Sequence, residues 1–118
     1  MRAIWTALLI AAVSCGAAWA QTVGGIYAVS GTNPDGSTYT GTVNITLNGQ
    51  ACQISWSVGS TPATGNCLLS GNAFASYYRL NGQLGLVVYQ LRSDGSLSGN
   101  WEMDAQSGVG TETLTPSK

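Results

Sequence analysis

The chain contains no histidine and few charged residues of either sign. Its 118 residues include 4 Lys+Arg and 5 Asp+Glu, for a formal net charge of −1. Without histidine, a Ser-His-Asp or Cys-His nucleophile pair, imidazole acid–base catalysis and an imidazole metal ligand are excluded. A nucleic-acid partner is disfavoured, because phosphates are normally met by a basic face. We therefore expect one small domain that is not an enzyme and holds no metal or cofactor.

The first 20 residues have the pattern of an export signal. Met1-Arg2 precedes an apolar run that ends at Val13, and small residues lead to Ala18-Trp19-Ala20. The apolar run is too short to span about 30 Å of hydrocarbon. We predict a signal peptide over residues 1–20 and a single domain over residues 21–118, periplasmic or extracellular and without a membrane span. Lipidation at Cys15, in a loose lipobox, is the alternative.

Two cysteines, Cys52 and Cys67, remain after the predicted cleavage. In an exported chain, two cysteines are read most simply as one disulfide. Closing a loop of about 15 residues is worth roughly 3 kcal/mol in the chain-entropy model, which matters for a domain this small.

Turn signals punctuate the predicted domain at near-regular intervals and separate eight segments. They are Asp35-Gly36, Asn48-Gly49, residues 59–62, Gly71-Asn72, Asn81-Gly82, Asp94-Gly95 and Ser107-Gly108. No long stretch shows helical apolar spacing, so we predict an all-β fold, an eight-stranded antiparallel up-and-down meander. If the first and last strands pair and close the sheet into a small barrel, neither is left as an exposed edge strand. An open sandwich of two four-stranded sheets is the alternative.

The clearest alternation covers residues 39–47, where the odd positions are directed to the core. If Asn48-Gly49 is a two-residue loop, paired residue numbers sum to 97, which places Gly41 opposite Trp56. The alternation on both sides of this loop then gives one consistent inner face, which includes Cys52. A glycine beneath a ring is a known way to seat an aromatic side chain in a curved sheet.

The turn at Asp94-Gly95 decides which face of two strands points outward. A two- or four-residue loop pairs Arg92 with Leu97 and directs Leu84, Leu86 and Val88 inward. The residues then forced outward form a predicted apolar patch for a protein partner or for self-association: Phe74, Tyr78, Val87, Tyr89 and Leu91. A three-residue bulged turn would reverse this assignment and bury the patch.

Four aromatic residues are predicted to bound the lumen, where they either fill the core or contact a small apolar ligand: Tyr39, Trp56, Tyr77 and Trp101. Asp35 and Asp94 are expected to bond their own turns. The orientation of Glu112 stays open, because its strand is amphipathic either way. Directed inward, Glu112 would need a cationic partner, for which Arg79 and Arg92 are candidates.

Several segments resemble small exported proteobacterial proteins, some of which carry a fibronectin-binding label. They are VSGTNPDGSTYTGTV over residues 29–43, ISW over 54–56, GNC over 65–67, GNAFA over 71–75, DGSLSGNW over 94–101 and GTETLTP over 110–116. The resemblance implies export and a shared β fold. The phrase Asp-Gly-x-Leu-x-Gly-x-Trp is also similar to strand repeats of avidin-like and other calycin barrels.

Three functions follow from these expectations. The first is an exported, non-enzymatic binding module that recognises a protein, in line with the fibronectin-binding label. The second is a small-molecule carrier of the avidin or lipocalin kind that uses the lumen. The third is a periplasmic hydrolase inhibitor that presents the loop over residues 32–37. An open, aromatic-lined cavity would favour the carrier, and a filled lumen with exposed Phe74 and Tyr89 would favour the protein binder.

Overall fold

Eight antiparallel strands form a closed barrel in the computed structural model, which describes residues 23–104 and 106–117. The predicted signal peptide and Cys15 lie outside the described residues. The strands are β1 (Gly25–Thr32), β2 (Thr38–Asn48), β3 (Ala51–Val58), β4 (Thr61–Ser70), β5 (Ala73–Leu80), β6 (Gln83–Leu91), β7 (Leu97–Met103) and β8 (Gly110–Pro116). Each strand pairs with the next, and β1 pairs with β8. The predicted up-and-down barrel is confirmed. Within the described residues, no helix is long and apolar enough to cross a membrane.

Four hairpins have two-residue loops, which switch the inward face from odd to even residue numbers or back. In the β5–β6 hairpin, Leu80 pairs with Gln83. Its central residues Asn81 and Gly82 both have positive φ, 52° and 77°, as a type I′ turn requires. Phe74 lies directly opposite Tyr89 in this hairpin.

Two other hairpins have five-residue loops that contain the triplet Asp-Gly-Ser. Residues 33–37 join β1 to β2, and residues 92–96 join β6 to β7. In the second loop, the Ser96 amide and hydroxyl both donate to Asp94 Oδ1, at 2.9 and 2.6 Å. Asp35 receives the same two hydrogen bonds from Ser37. These bonds lower the pKa of each aspartate. Both aspartates thus bond their own turns, as expected.

The loop over residues 92–96 overturns the predicted register between β6 and β7. Leu91, and not Arg92, pairs with Leu97, so the loop has five residues. The hydrogen bonds from Ser96 to Asp94 stabilise this odd-numbered loop. An odd loop keeps the same parity inward on both strands. The inward faces of β5 and β6 are therefore the reverse of the preferred prediction. They are the faces expected from the alternative, in which a turn with an odd number of residues follows β6.

A smaller correction concerns β2 and β3. Asn48 belongs to β2 and pairs with Ala51, so the loop is Gly49-Gln50 and paired residue numbers sum to 99. Trp56 therefore lies opposite Val43, and Gly41 opposite Val58. The loop still has two residues, so the inward faces of both strands are as predicted.

The barrel is closed by apolar packing at one end and open at the other. Val23, Tyr27, Phe74, Leu97 and Leu114 fill the closed end and are buried. Cys52 and Cys67 form a disulfide between directly paired residues of β3 and β4, with Cα atoms 4.9 Å apart. The predicted pairing of these cysteines is confirmed.

Removing the disulfide should lower stability without opening the barrel. The Cys52→Ala, Cys67→Ala double variant is expected to lose about 3 kcal/mol, because the bond closes a loop of 15 residues. In a domain of this size, a loss of that order lowers the melting temperature by about 12–24 °C. Calorimetry measures the shift. A melting temperature equal to that of the unaltered protein would contradict the expected contribution.

Candidate functional site

The open end of the barrel leads into a cavity of about 280 Å³, referred to below as the lumen cavity. The loops at this end of the barrel comprise residues 33–37, 59–60 and 81–82, together with residue 104 and residues 106–109. Its lining includes five aromatic side chains, Tyr39, Trp56, Tyr78, Tyr89 and Trp101, together with the carboxylate of Glu112. The volume lies near the lower limit of small-molecule sites, which is about 300 Å³.

Four of these rings are seated on glycines that lie directly opposite them on the neighbouring strand. The pairs are Gly31 with Tyr39, Gly85 with Tyr78, Gly99 with Tyr89 and Gly110 with Trp101. A Cβ atom at any of these glycines would overlap the ring of its partner. The rings thus lie against the barrel wall, which leaves the space between them open. This seating was predicted for Gly41 and Trp56, which is the wrong pair.

The side chain of Glu112 points into the lumen and is only 7% exposed. It accepts hydrogen bonds from Tyr39 Oη at 2.7 Å, Tyr89 Oη at 2.5 Å and Trp56 Nε1 at 2.9 Å. The open question about Glu112 is thereby settled. The candidate partners Arg79 and Arg92 are both exposed. Neutral donors take the place of the cation expected there.

The register explains why two tyrosines converge on one carboxylate. Tyr89, Gly99, Glu112, Gly31 and Tyr39 form one row across five neighbouring strands. The glycines on either side of Glu112 leave room for a tyrosine ring to reach across from each flank. The hydroxyls of both rings therefore meet at the central carboxylate.

One polar atom of the lumen cavity has no partner in the described part of the chain. Trp101 Nε1 is buried and makes no hydrogen bond. The Trp101 ring meets that of Tyr39 edge-on, with centroids 6.4 Å apart, and its polar interaction with the Tyr39 hydroxyl lowers the pKa of that tyrosine, against the larger raising effects of burial and Glu112. A buried donor without an acceptor is costly.

The predicted outer patch does not exist in the form expected. Phe74 and Tyr89 are 0% exposed, Tyr78 and Val87 are buried, and Leu91 is half-buried. The prediction failed because of the odd loop over residues 92–96. Tyr77, predicted to line the lumen, is 39% exposed on the outer wall for the same reason. Tyr39, Trp56 and Trp101 do line the lumen cavity.

The outer face of β5 and β6 is nevertheless apolar. Leu84, Leu86 and Val88, which were predicted to point inward, are exposed there. Tyr77 lies directly opposite Leu86. Both faces of β6 are thus apolar, which is why its alternation did not reveal its orientation.

Sequence comparison finds no matching family model and no matching curated protein. Structural comparison finds β-barrels. A redesigned β-barrel matches with a TM-score of 0.71 at 14% identity, covering 80% of this chain and 91% of that chain. A redesigned barrel bound to DFHBI matches with a TM-score of 0.67 at 15% identity, covering 79% and 94%. A fatty acid transporter matches with a TM-score of 0.55 at 13% identity, covering 80% and 96%.

These likenesses show the fold alone. They bear out the expected similarity to small eight-stranded barrels. They lend nothing to the proteobacterial origin or to the fibronectin-binding label that the resemblance implied. The chemistry of the site therefore has to be judged from its own residues.

Two tyrosines of the site escaped sequence reasoning because their strands were assigned the wrong face. Tyr78 and Tyr89 were expected outside, and both line the lumen cavity. The Asp-Gly-Ser triplet, present in both five-residue loops, was the available signal. Within residues 23–104 and 106–117, no group of three potential metal ligands comes together.

If Gly85 is required because the Tyr78 ring lies against it, replacing Gly85 should be costly only while that ring is present. Gly85→Ala is expected to destabilise the barrel by about 1–3 kcal/mol, since the new methyl group would overlap the Tyr78 side chain, which supplies the three heavy atoms nearest to it. In a Tyr78→Leu background the same substitution should cost much less. Urea unfolding of the four proteins of this double-mutant cycle measures the coupling. Additive costs would contradict the seating.

Three tyrosines of the site should make the fold sensitive to alkali. Burial, followed by the Glu112 charge, raises the pKa of Tyr39, Tyr78 and Tyr89 well above the usual value of about 10. Their contribution to stability is fully present below the unfolded pKa and is lost as pH rises above about 10. Unfolding free energies from pH 9 to 12 measure the decline. Tyr89→Phe should make it shallower, and an unchanged slope would contradict the assignment.

Proposed function

We propose that this protein binds a small, largely apolar molecule in the lumen of its barrel and has no catalytic chemistry of its own. The observation that carries the proposal is the lumen cavity, open at one end and walled by five aromatic side chains. Small-molecule sites combine apolar walls with a few placed polar groups. Here the placed polar group is the Glu112 carboxylate. The disulfide is consistent with work in an oxidising, exported location.

Two structural neighbours support this choice. One is bound to DFHBI and another is described as a fatty acid transporter. An eight-stranded barrel has an interior just wide enough to hold one small ligand when side chains do not fill it. The glycine-seated rings provide that space in this chain.

Recognition of a protein through the five-residue patch loses its basis, because those side chains are buried or half-buried. The loop offered for hydrolase inhibition has polar groups that bond mainly to one another. Asp35 accepts from Ser37, and Asn33 Nδ2 donates to Ser37 Oγ at 3.0 Å. Such a loop has fewer groups left for a target. Lumen binding is therefore the function that the geometry supports best.

Filling the lumen should abolish binding. Ala63 is buried beside Trp56 and lines the lumen cavity, so Ala63→Phe is expected to weaken binding at least tenfold. N-phenyl-1-naphthylamine, an uncharged probe whose fluorescence rises in apolar surroundings, reports the affinity in a titration of the purified protein.

The matched control is Thr64→Phe, which adds the same ring to the exposed face of the same strand. It should bind the probe like the unaltered protein. Thermal unfolding of both variants shows whether the barrel persists. Equal binding by the two variants would place the probe outside the lumen and contradict the proposal.

A further inference from the structure

Glu112 is a buried acid without a cationic partner in the described part of the chain. The cationic side chains of residues 23–104 and 106–117 are Arg79 and Arg92, and both are exposed. A carboxylate away from water is costly unless it is paired and hydrogen-bonded. Three neutral donors meet the hydrogen-bonding need. The charge itself is left for another partner.

We propose that the lumen selects a small organic cation, whose ammonium group pairs with Glu112 while its apolar body lies among the aromatic rings. The inference rests on the proposed function, since it names the chemical class of the molecule that the lumen cavity would take. It does not require any change in the backbone, because Glu112 already lines that cavity.

The carboxylate has capacity for one more donor. Oε2 accepts from both Trp56 and Tyr89, whereas Oε1 accepts from Tyr39 alone. An ionised carboxylate offers about four acceptor positions, two on each oxygen. The remaining position on Oε1 is suited to an N–H group of a ligand, and a charged donor makes the stronger hydrogen bond.

The walls also favour a cation. The faces of Trp and Tyr rings attract positive charge, more strongly where water is excluded. Trp56 and Tyr78 lie 5.2 Å apart between centroids, and Tyr39 and Trp101 lie 6.4 Å apart. All four rings line the lumen cavity together with Glu112. Attraction to the rings and to the carboxylate therefore acts on the same ligand group.

Three probes that share one ring system test the charge preference: 2-naphthylmethylammonium, 2-naphthylmethanol and 2-naphthoate. Isothermal titration calorimetry measures the affinity of each for the purified full chain. We expect the ammonium to bind at least tenfold more tightly than the alcohol, and the carboxylate to bind most weakly. Equal affinities, or tighter binding of the carboxylate, would overturn the inference while leaving lumen binding intact.

Glu112→Gln removes the charge and keeps an acceptor oxygen. The ratio of ammonium to alcohol affinity should fall to about one in this variant, while the alcohol still binds. Glu102→Gln is the matched control, since Glu102 is exposed on the outer wall, and it should retain the full ratio. A ratio that survives in Glu112→Gln would overturn the assignment to this carboxylate.

Tyr39→Phe covers the case in which Glu112→Gln fails to fold. It keeps the charge and removes the donor on Oε1, so the preference for the ammonium should persist or increase. Loss of the preference in this folded variant would contradict pairing at Oε1. If none of the three probes binds the unaltered protein, the proposed function and this inference both fail, an outcome distinct from binding without charge preference.

Discussion

Direct pairing of a glycine with four of the five aromatic rings that line the lumen cavity is the constraint on which this barrel depends. Eight strands enclose so little space that rings pointing straight at the axis would fill it. A glycine on the neighbouring strand lets the ring lie along the wall, and it does so for Tyr39, Tyr78, Tyr89 and Trp101. Apolar side chains then close one end. The same glycines that relieve crowding therefore create the lumen cavity.

The buried carboxylate is a consequence of this arrangement. Glu112 has Gly31 on one side and Gly99 on the other, which leaves room for the side chains of Tyr39, Tyr89 and Trp56 to reach its carboxylate. Both hydroxyls are oriented by the carboxylate, and burial together with its charge keeps them protonated. Glu112 and the rings therefore stabilise each other. The carboxylate orients the rings that form the wall, and the rings exclude water that would screen its charge.

Strand number, closure, the disulfide and most inward faces could be predicted from the sequence, because turn dipeptides and alternation are local signals. The orientation of β5 and β6 could not. Leu84, Leu86 and Val88 on one face of β6 are as apolar as Val87, Tyr89 and Leu91 on the other, so alternation alone does not choose between the faces. The choice is made by the loop over residues 92–96, through two hydrogen bonds from Ser96 to Asp94.

Loop parity thus connects a surface turn to the chemistry of the interior. A two-residue loop exchanges odd for even inward positions, whereas a five-residue loop preserves the parity. Had the β6–β7 loop been even, Tyr89 would face solvent, Glu112 would lose one of its three donors, and Leu86 would occupy the lumen instead. Asp94 and Ser96 lie near the closed end and contribute no atom to the lumen cavity. They nevertheless determine which side chains form it, because the parity fixed at one turn sets the orientation of every residue in the strands paired through it.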